Sequence, residues 1–190
     1  MISRIIEATT DAVATAVKGI DNILDAVTGT VKDQVVNVLQ GAGEIAGTGV
    51  EAIASIASGA VKGTGQVGAS ITDTAAGTMS GIVKGASQVS SDVIVAIKGG
   101  AEGIVKATAE TGGDIGAAAV AAVEGAIKSA GDIGADTAEA AKAAVGGALD
   151  AATSVGGSAV GTVRDALLSA AALPRDVVES AIQGSEKDSE

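Results

Sequence analysis

Gly63-Thr64-Gly65-Gln66-Val67-Gly68 is the one string here whose residue types and spacing suggest a cofactor site. It matches GxGxxG, whose glycines let a backbone approach a dinucleotide pyrophosphate; that chemistry needs a strand before the string, a helix after it and an acid about 20 residues on. These glycines also fall in the columns of a repeat, so the match reads as accidental. No GxxxxGKS/T loop is present to cradle a nucleoside phosphate. Acid pairs such as Asp21 with Asp25, or Glu179 with the tail acids, could hold a divalent ion weakly. A solvated helical face explains them better, and no aromatic pocket exists to raise a carboxyl pKa for general acid work. With no His and no Cys, the chain has no neutral-pH proton shuttle, imidazole ligand or thiolate nucleophile. The expectation is a non-enzyme without cofactor or metal.

The elements that would position any site must be built from unusual material. Among 190 residues there is no Phe, Tyr or Trp, only one Pro and 28 Gly, and the apolar 47% is mainly Ala, Val and Ile. A core of such residues closes by bringing backbones near one another rather than by interlocking large side chains. The net charge of −11, with no ring for base stacking, argues against nucleic acid and against anionic bilayers. A spanning helix needs about 18 apolar residues, whereas the longest uncharged run is the 13 residues between Asp150 and Arg164. Met1-Ile2-Ser3-Arg4-Ile5-Ile6-Glu7 reaches an acid too soon for a secretory signal. A cytoplasmic protein is expected, ordered except for a polar tail at 183–190.

A repeat organises the rest. Nine cations, Lys18, Lys32, Lys62, Lys84, Lys98, Lys106, Lys128, Lys142 and Arg164, are separated only by 8, 14, 22 or 30 residues, which are combinations of 8 and 14 within a 22-residue frame. Cutting at 22-residue steps aligns Met1, Ile23, Ile45, Val67, Val89, Thr111, Ile133, Val155 and Val177, eight apolar residues in nine. A second column holds Val17, Leu39, Val61, Val83, Val105, Ile127 and Leu149. About eight and a half repeats fill 1–173; Pro174 interrupts the period before a short apolar-periodic piece at 174–182. Twenty-two is twice 11, and 11 residues make three turns at 3.67 per turn, close to an α-helix. The fold expected is all-α: long Gly/Ala-rich amphipathic helices, extended or folded back into a bundle, with a β-solenoid the minority alternative. If the chain folds back, Gly99-Gly100, Gly112-Gly113, Gly146-Gly147 and Gly156-Gly157 are the places to look.

Two faces follow from the columns. Val61, Val83, Val105, Ile127 and Leu149, with Val67, Val89 and Ile133, form a Val/Ile stripe suited to self-association. Gly59, Gly81, Gly103, Gly125 and Gly147 form a separate column, beside Gly19, Gly41, Gly63 and Gly85. These glycines either fill a weakly polar face or let another backbone come close, as small-xxx-small faces do.

Gly59-Ala60-Val61-Lys62-Gly63-Thr64-Gly65-Gln66-Val67 and Gly81-Ile82-Val83-Lys84-Gly85-Ala86-Ser87-Gln88-Val89 resemble the 11-residue repeats of perilipins and synucleins, and more distantly those of late-embryogenesis-abundant proteins. The resemblance covers roughly residues 45–165. It implies amphipathic helices that order on lipid-droplet or vesicle surfaces or on drying. The chain departs from those families in being acidic and more hydrophobic, with fewer Lys on the polar face. One helix of 190 residues would run about 285 Å with its stripe wet, so something must cover it. The reading expected is a structural protein whose helices self-associate into a bundle, sheet or filament. The alternative is a coat on a neutral lipid or hydrophobic granule surface, and the third a stress-protective, partly disordered chain.

Overall fold

The computed structural model describes residues 2–17, 23–42, 46–66 and 68–187. Over them the chain is all-α, with nine helices and no strand among the described residues: α1 (Ile2–Val17), α2 (Ile23–Ala42), α3 (Ala46–Gly65), α4 (Ile71–Gln88), α5 (Val93–Glu110), α6 (Ile115–Asp132), α7 (Thr137–Val155), α8 (Ala159–Ser169) and α9 (Arg175–Lys187).

The extended form of the expectation is corrected. From α4 to α6 each 22-residue unit is one helix of five turns plus a four-residue joint, not two 11-residue segments of a continuous rod. The joints explain why. After α3, α4, α5 and α6 the chain enters the left-handed region at Gly68, Ser90, Gly112 and Gly134. The amide one residue on then reaches back to the carbonyls of Thr64, Ala86, Thr108 and Ala130, at 3.1, 3.0, 2.9 and 2.8 Å. This is the Schellman closure that satisfies a helix's last carbonyls. In the next residue a side chain caps the new helix: Ser70, Asp92, Asp114 and Asp136 accept from amides of the first turn. Stop and start signals are thus fused in four residues. Of the glycine pairs, Gly112-Gly113 and Gly156-Gly157 lie in joints, whereas Gly99-Gly100 and Gly146-Gly147 lie inside α5 and α7.

Among the described residues Ser90 is the one non-Gly residue at positive φ, at 54°. A left-handed L-residue costs roughly 1–2 kcal/mol, partly offset by the larger entropy a glycine loses on folding. Ser90→Gly is therefore expected to stabilise the protein by about 0.5–1 kcal/mol, a melting-point rise of about 1–4 °C by circular dichroism.

Each helix from α1 to α7 makes its broadest contact with a helix two places along, and a narrower one with its sequence neighbour. Gly99 faces the Val50 carbonyl, Gly103 that of Ala54, Gly125 that of Ala76 and Gly147 that of Lys98, pairs all 49 residues apart. A constant offset means parallel helices, so the helix between them must carry the chain back. The result is two layers, α1, α3, α5, α7 and α9 in one and α2, α4, α6 and α8 in the other. A helix with contacts on both flanks builds a sheet of helices, and here helices of one chain pack in that way.

The core runs along the layer boundary through Val31, Ile56, Met79, Ile82, Ile104, Val123 and Val145. On the central helices only a narrow stripe meets water: Val95, Lys98, Glu102, Lys106 and Glu110 on α5, and Glu139, Lys142, Gly146, Asp150 and Thr153 on α7. That stripe carries the charges, which is why so few suffice. Gly59–Thr78, poor in helix propensity, is helical at both ends because Gly59 and Gly63 seat on α1 and Gly77 on α2.

The C-terminal end departs from the frame. α8 has 11 residues, and the turn at 170–174 precedes α9, whose first amide bonds go to the Pro174 carbonyl from Val177 and Val178. α9 continues to Lys187, past the expected end of the helical piece at 182 and into the expected polar tail. Val178 and Ile182 anchor it to the core, and Arg175 pairs with Glu179 one turn on. Residues 188–190 lie outside the described residues.

Candidate functional site

The glycine column sits in the seams between parallel helices. A Cβ built on Gly59 would lie 2.7 Å from Thr9 Cβ and 2.8 Å from the Ile6 carbonyl; on Gly81 it would lie 2.7 Å from the Thr28 carbonyl. On Gly125 the distance to the Ala76 carbonyl is 3.1 Å, and at Gly103 and Gly147 the Cβ would collide with the carbonyls of Ala54 and Lys98. Such close approach brings Cα–H groups toward carbonyl oxygens, a weak attraction that a larger residue forfeits. Gly63 and Gly85 from the neighbouring column face the carbonyls of Thr10 and Lys32 in the same way, whereas Gly41 has open space around it. Gly19 lies outside the described residues. Two hydroxyls stitch the first seams: Thr10 Oγ1 donates to the Gly59 carbonyl and Thr28 Oγ1 to that of Gly77, both at 3.2 Å.

The apolar stripe faces the layer boundary. Val61, Val83, Val105 and Leu149 are buried and Ile127 half-buried. Val89 and Ile133 are half-buried as the residues that end α4 and α6; Val67 lies outside the described residues. Both surfaces are therefore occupied by the chain's own helices. The large hydrophobics left exposed among the described residues are Leu24, Val95 and Val155, at 37%, 40% and 44%. They stand on three different helices.

Chemically, the described residues hold no group of three or more acids placed to bind a metal. Gly63 and Gly65 belong to α3 and Gly68 to a joint, so no strand leads into the GxGxxG string. Asp25 stands exposed in the first turn of α2, and Asp21 lies outside the described residues. No described helix is long and apolar enough to cross a membrane.

Sequence reasoning missed one concave feature. Where α3 ends, α4 begins and α5 ends, a cleft of about 750 Å³ opens, lined by Val61, Lys62, Thr64, Gln66, Ile71, Thr74, Glu110 and Thr111 among others. Lys62 Nζ and a Glu110 carboxylate oxygen pair across its mouth at 2.9 Å. A similar bridge, Lys98 to Asp150 at 2.9 Å, links α5 to α7 on the exposed stripe. The signal for the joints was present in the 22-residue spacing of Ser70, Asp92, Asp114 and Asp136. Among the lining residues Thr111 departs from its apolar column, where other repeats have Val89, Ile133 and Val155.

No protein-family model matches the chain, and a search of curated proteins returns no relative.

Proposed function

We propose that this chain is a non-enzymatic structural repeat protein, a layered helical stack that works as a scaffold or spacer, with a cytoplasmic location as part of the same reading. The observation that carries it is the use of the Val/Ile stripe and the glycine seams to join helices of one chain. Self-association is the same chemistry between helices, and here the helices doing it come from one chain. The outer helices present mostly polar side chains to solvent: Arg4, Glu7, Ala8 and Asp11 are exposed on α1, Asp33 and Asn37 on α2, and Arg175, Asp176 and Glu179 on α9. The coat reading requires the stack to open and turn its stripe outward, because closed it offers a hydrophobic surface only scattered side chains.

Light scattering on a size-exclusion column, with circular dichroism on lipid-free protein, tests this. The expected result is a strongly helical particle of 17.9 kDa at all concentrations. Growth into large helical particles would favour filaments, and an unstructured monomer that gains helix on a triolein emulsion would favour the coat.

A further inference from the structure

We propose that α8 and α9 form a unit that lifts off the stack at the Gly156-Gly157 joint while α1 to α7 stay folded. This conformational device goes beyond the scaffold reading and does not depend on it.

The earlier helices are held backbone to backbone. From α3 to α7 each presses a glycine, Gly59, Gly81, Gly103, Gly125 or Gly147, against a carbonyl of the helix two places back. The glycines of α8 and α9 make no such seam: Gly161 and Gly184 meet nothing within 4 Å. Where α5 seats Gly99 and Gly103 on α3, the same columns of α8 hold Asp165 and Ser169, and both are exposed. α8 meets α6 through a side chain instead, since a Cβ on Gly116 would lie 2.9 Å from Ala166 Cβ and 3.5 Å from the Thr162 carbonyl oxygen. Burial falls in step. Three of the 11 residues of α8 are buried, Ala159, Val163 and Leu167, against ten of 18 in each of α4, α5 and α6. Segments that bury few apolar side chains are the first to open locally.

The joint in front of α8 is also the looser one. α7 closes with a single bond, from the Gly156 amide to the Ala152 carbonyl at 3.0 Å, in place of the Schellman closure that follows α3, α4, α5 and α6. Gly156 and Gly157 both have positive φ, 83° and 61°, and glycine changes backbone conformation there without a side chain to obstruct it. Ser158 makes no side-chain bond to the first turn of α8, whereas Ser70, Asp92, Asp114 and Asp136 each cap the helix they precede. α9 moves with α8 because the two pack on each other across a turn whose Leu173 is buried. Lifting the pair uncovers α6 around Gly116 and the side of α7 on which α9 packs.

Thiol labelling of single-cysteine variants of the full chain tests the proposal, because the sequence has no cysteine of its own. Val163→Cys in α8, Val178→Cys in α9 and Val105→Cys in α5 each replace a side chain that is 0% exposed. Without denaturant, a small aromatic disulfide reagent is expected to modify the first two variants at rates within about threefold of each other, and at least about tenfold faster than the third. Equal protection of all three would show that α8 and α9 open only with the whole molecule, and would overturn the unit. So would fast labelling of Val178→Cys beside Val163→Cys labelling as slow as that of Val105→Cys, which is the pattern of a fraying end. Amide hydrogen exchange on the unaltered chain makes the same comparison if a variant fails to fold: residues 159–182 should exchange together and before those of α5, and exchange in step with α5 would overturn the proposal.

Discussion

Gly147→Ala is expected to destabilise the protein by about 1–3 kcal/mol, while the same change at the adjacent Gly146 stabilises it by up to about 1 kcal/mol. Both residues lie inside α7, so alanine improves helix propensity equally at both. What differs is the neighbour: a Cβ at Gly147 runs into the Lys98 carbonyl, and one at Gly146 meets nothing within 4 Å. A backbone carbonyl cannot rotate away like a side-chain tip, so α5 and α7 must move apart along the seam. Leucine at Gly103 or Gly147 enlarges the effect to more than about 3 kcal/mol, a large share of the roughly 5–15 kcal/mol that holds a domain together. Urea titrations followed by circular dichroism measure all four variants. Effects of the same sign at Gly146 and Gly147 would show that the seam does not exist.

Deleting residues 93–114, one whole unit, is expected to leave a folded protein of similar helix content per residue. Deleting only 98–102 should unfold much of it. The first deletion joins Asp92, an N-cap, to Ile115, the first residue of a helix, and sets Gly125 against Ala54 where Ala76 stood before. Both partners are the same residue type in the same column. The five-residue deletion removes about 500° of helical rotation, which turns everything beyond it in α5 by about 140° and takes Gly103 out of its seam. Melting curves distinguish the outcomes: a cooperative transition within several degrees of the parent for the first, and a broad or absent one for the second.

The period, the all-α class and the residues on the packing faces were legible in the sequence because burial demands particular residue types at fixed places in each helix. The joints were harder to see for a geometric reason. Twenty-two residues are close to six helical turns, so a column such as Val61, Val83, Val105 and Ile127 falls on one side of a continuous helix and equally at the same place in successive separate helices. Composition could break that tie only through the joint residues, and the joint glycines at 68, 112 and 134 are interrupted by Ser90. The partner of the glycine face was likewise hidden. The offset of 49 residues that places Gly103 on Ala54 arises only once the joints have reversed the chain twice.

Fastening each helix to the one two places along also decides how the molecule withstands cutting. Hydrolysis of the peptide bond after Gly134, in an exposed joint, severs α6 from α7, yet the contacts of α5 with α7 and of α6 with α8 both span the break. The two pieces are interleaved like overlapping roof tiles. A protease that reaches one loop therefore gains a nicked molecule rather than two separated fragments, and the same overlap makes this joint a natural place to express the chain as two halves that reassemble.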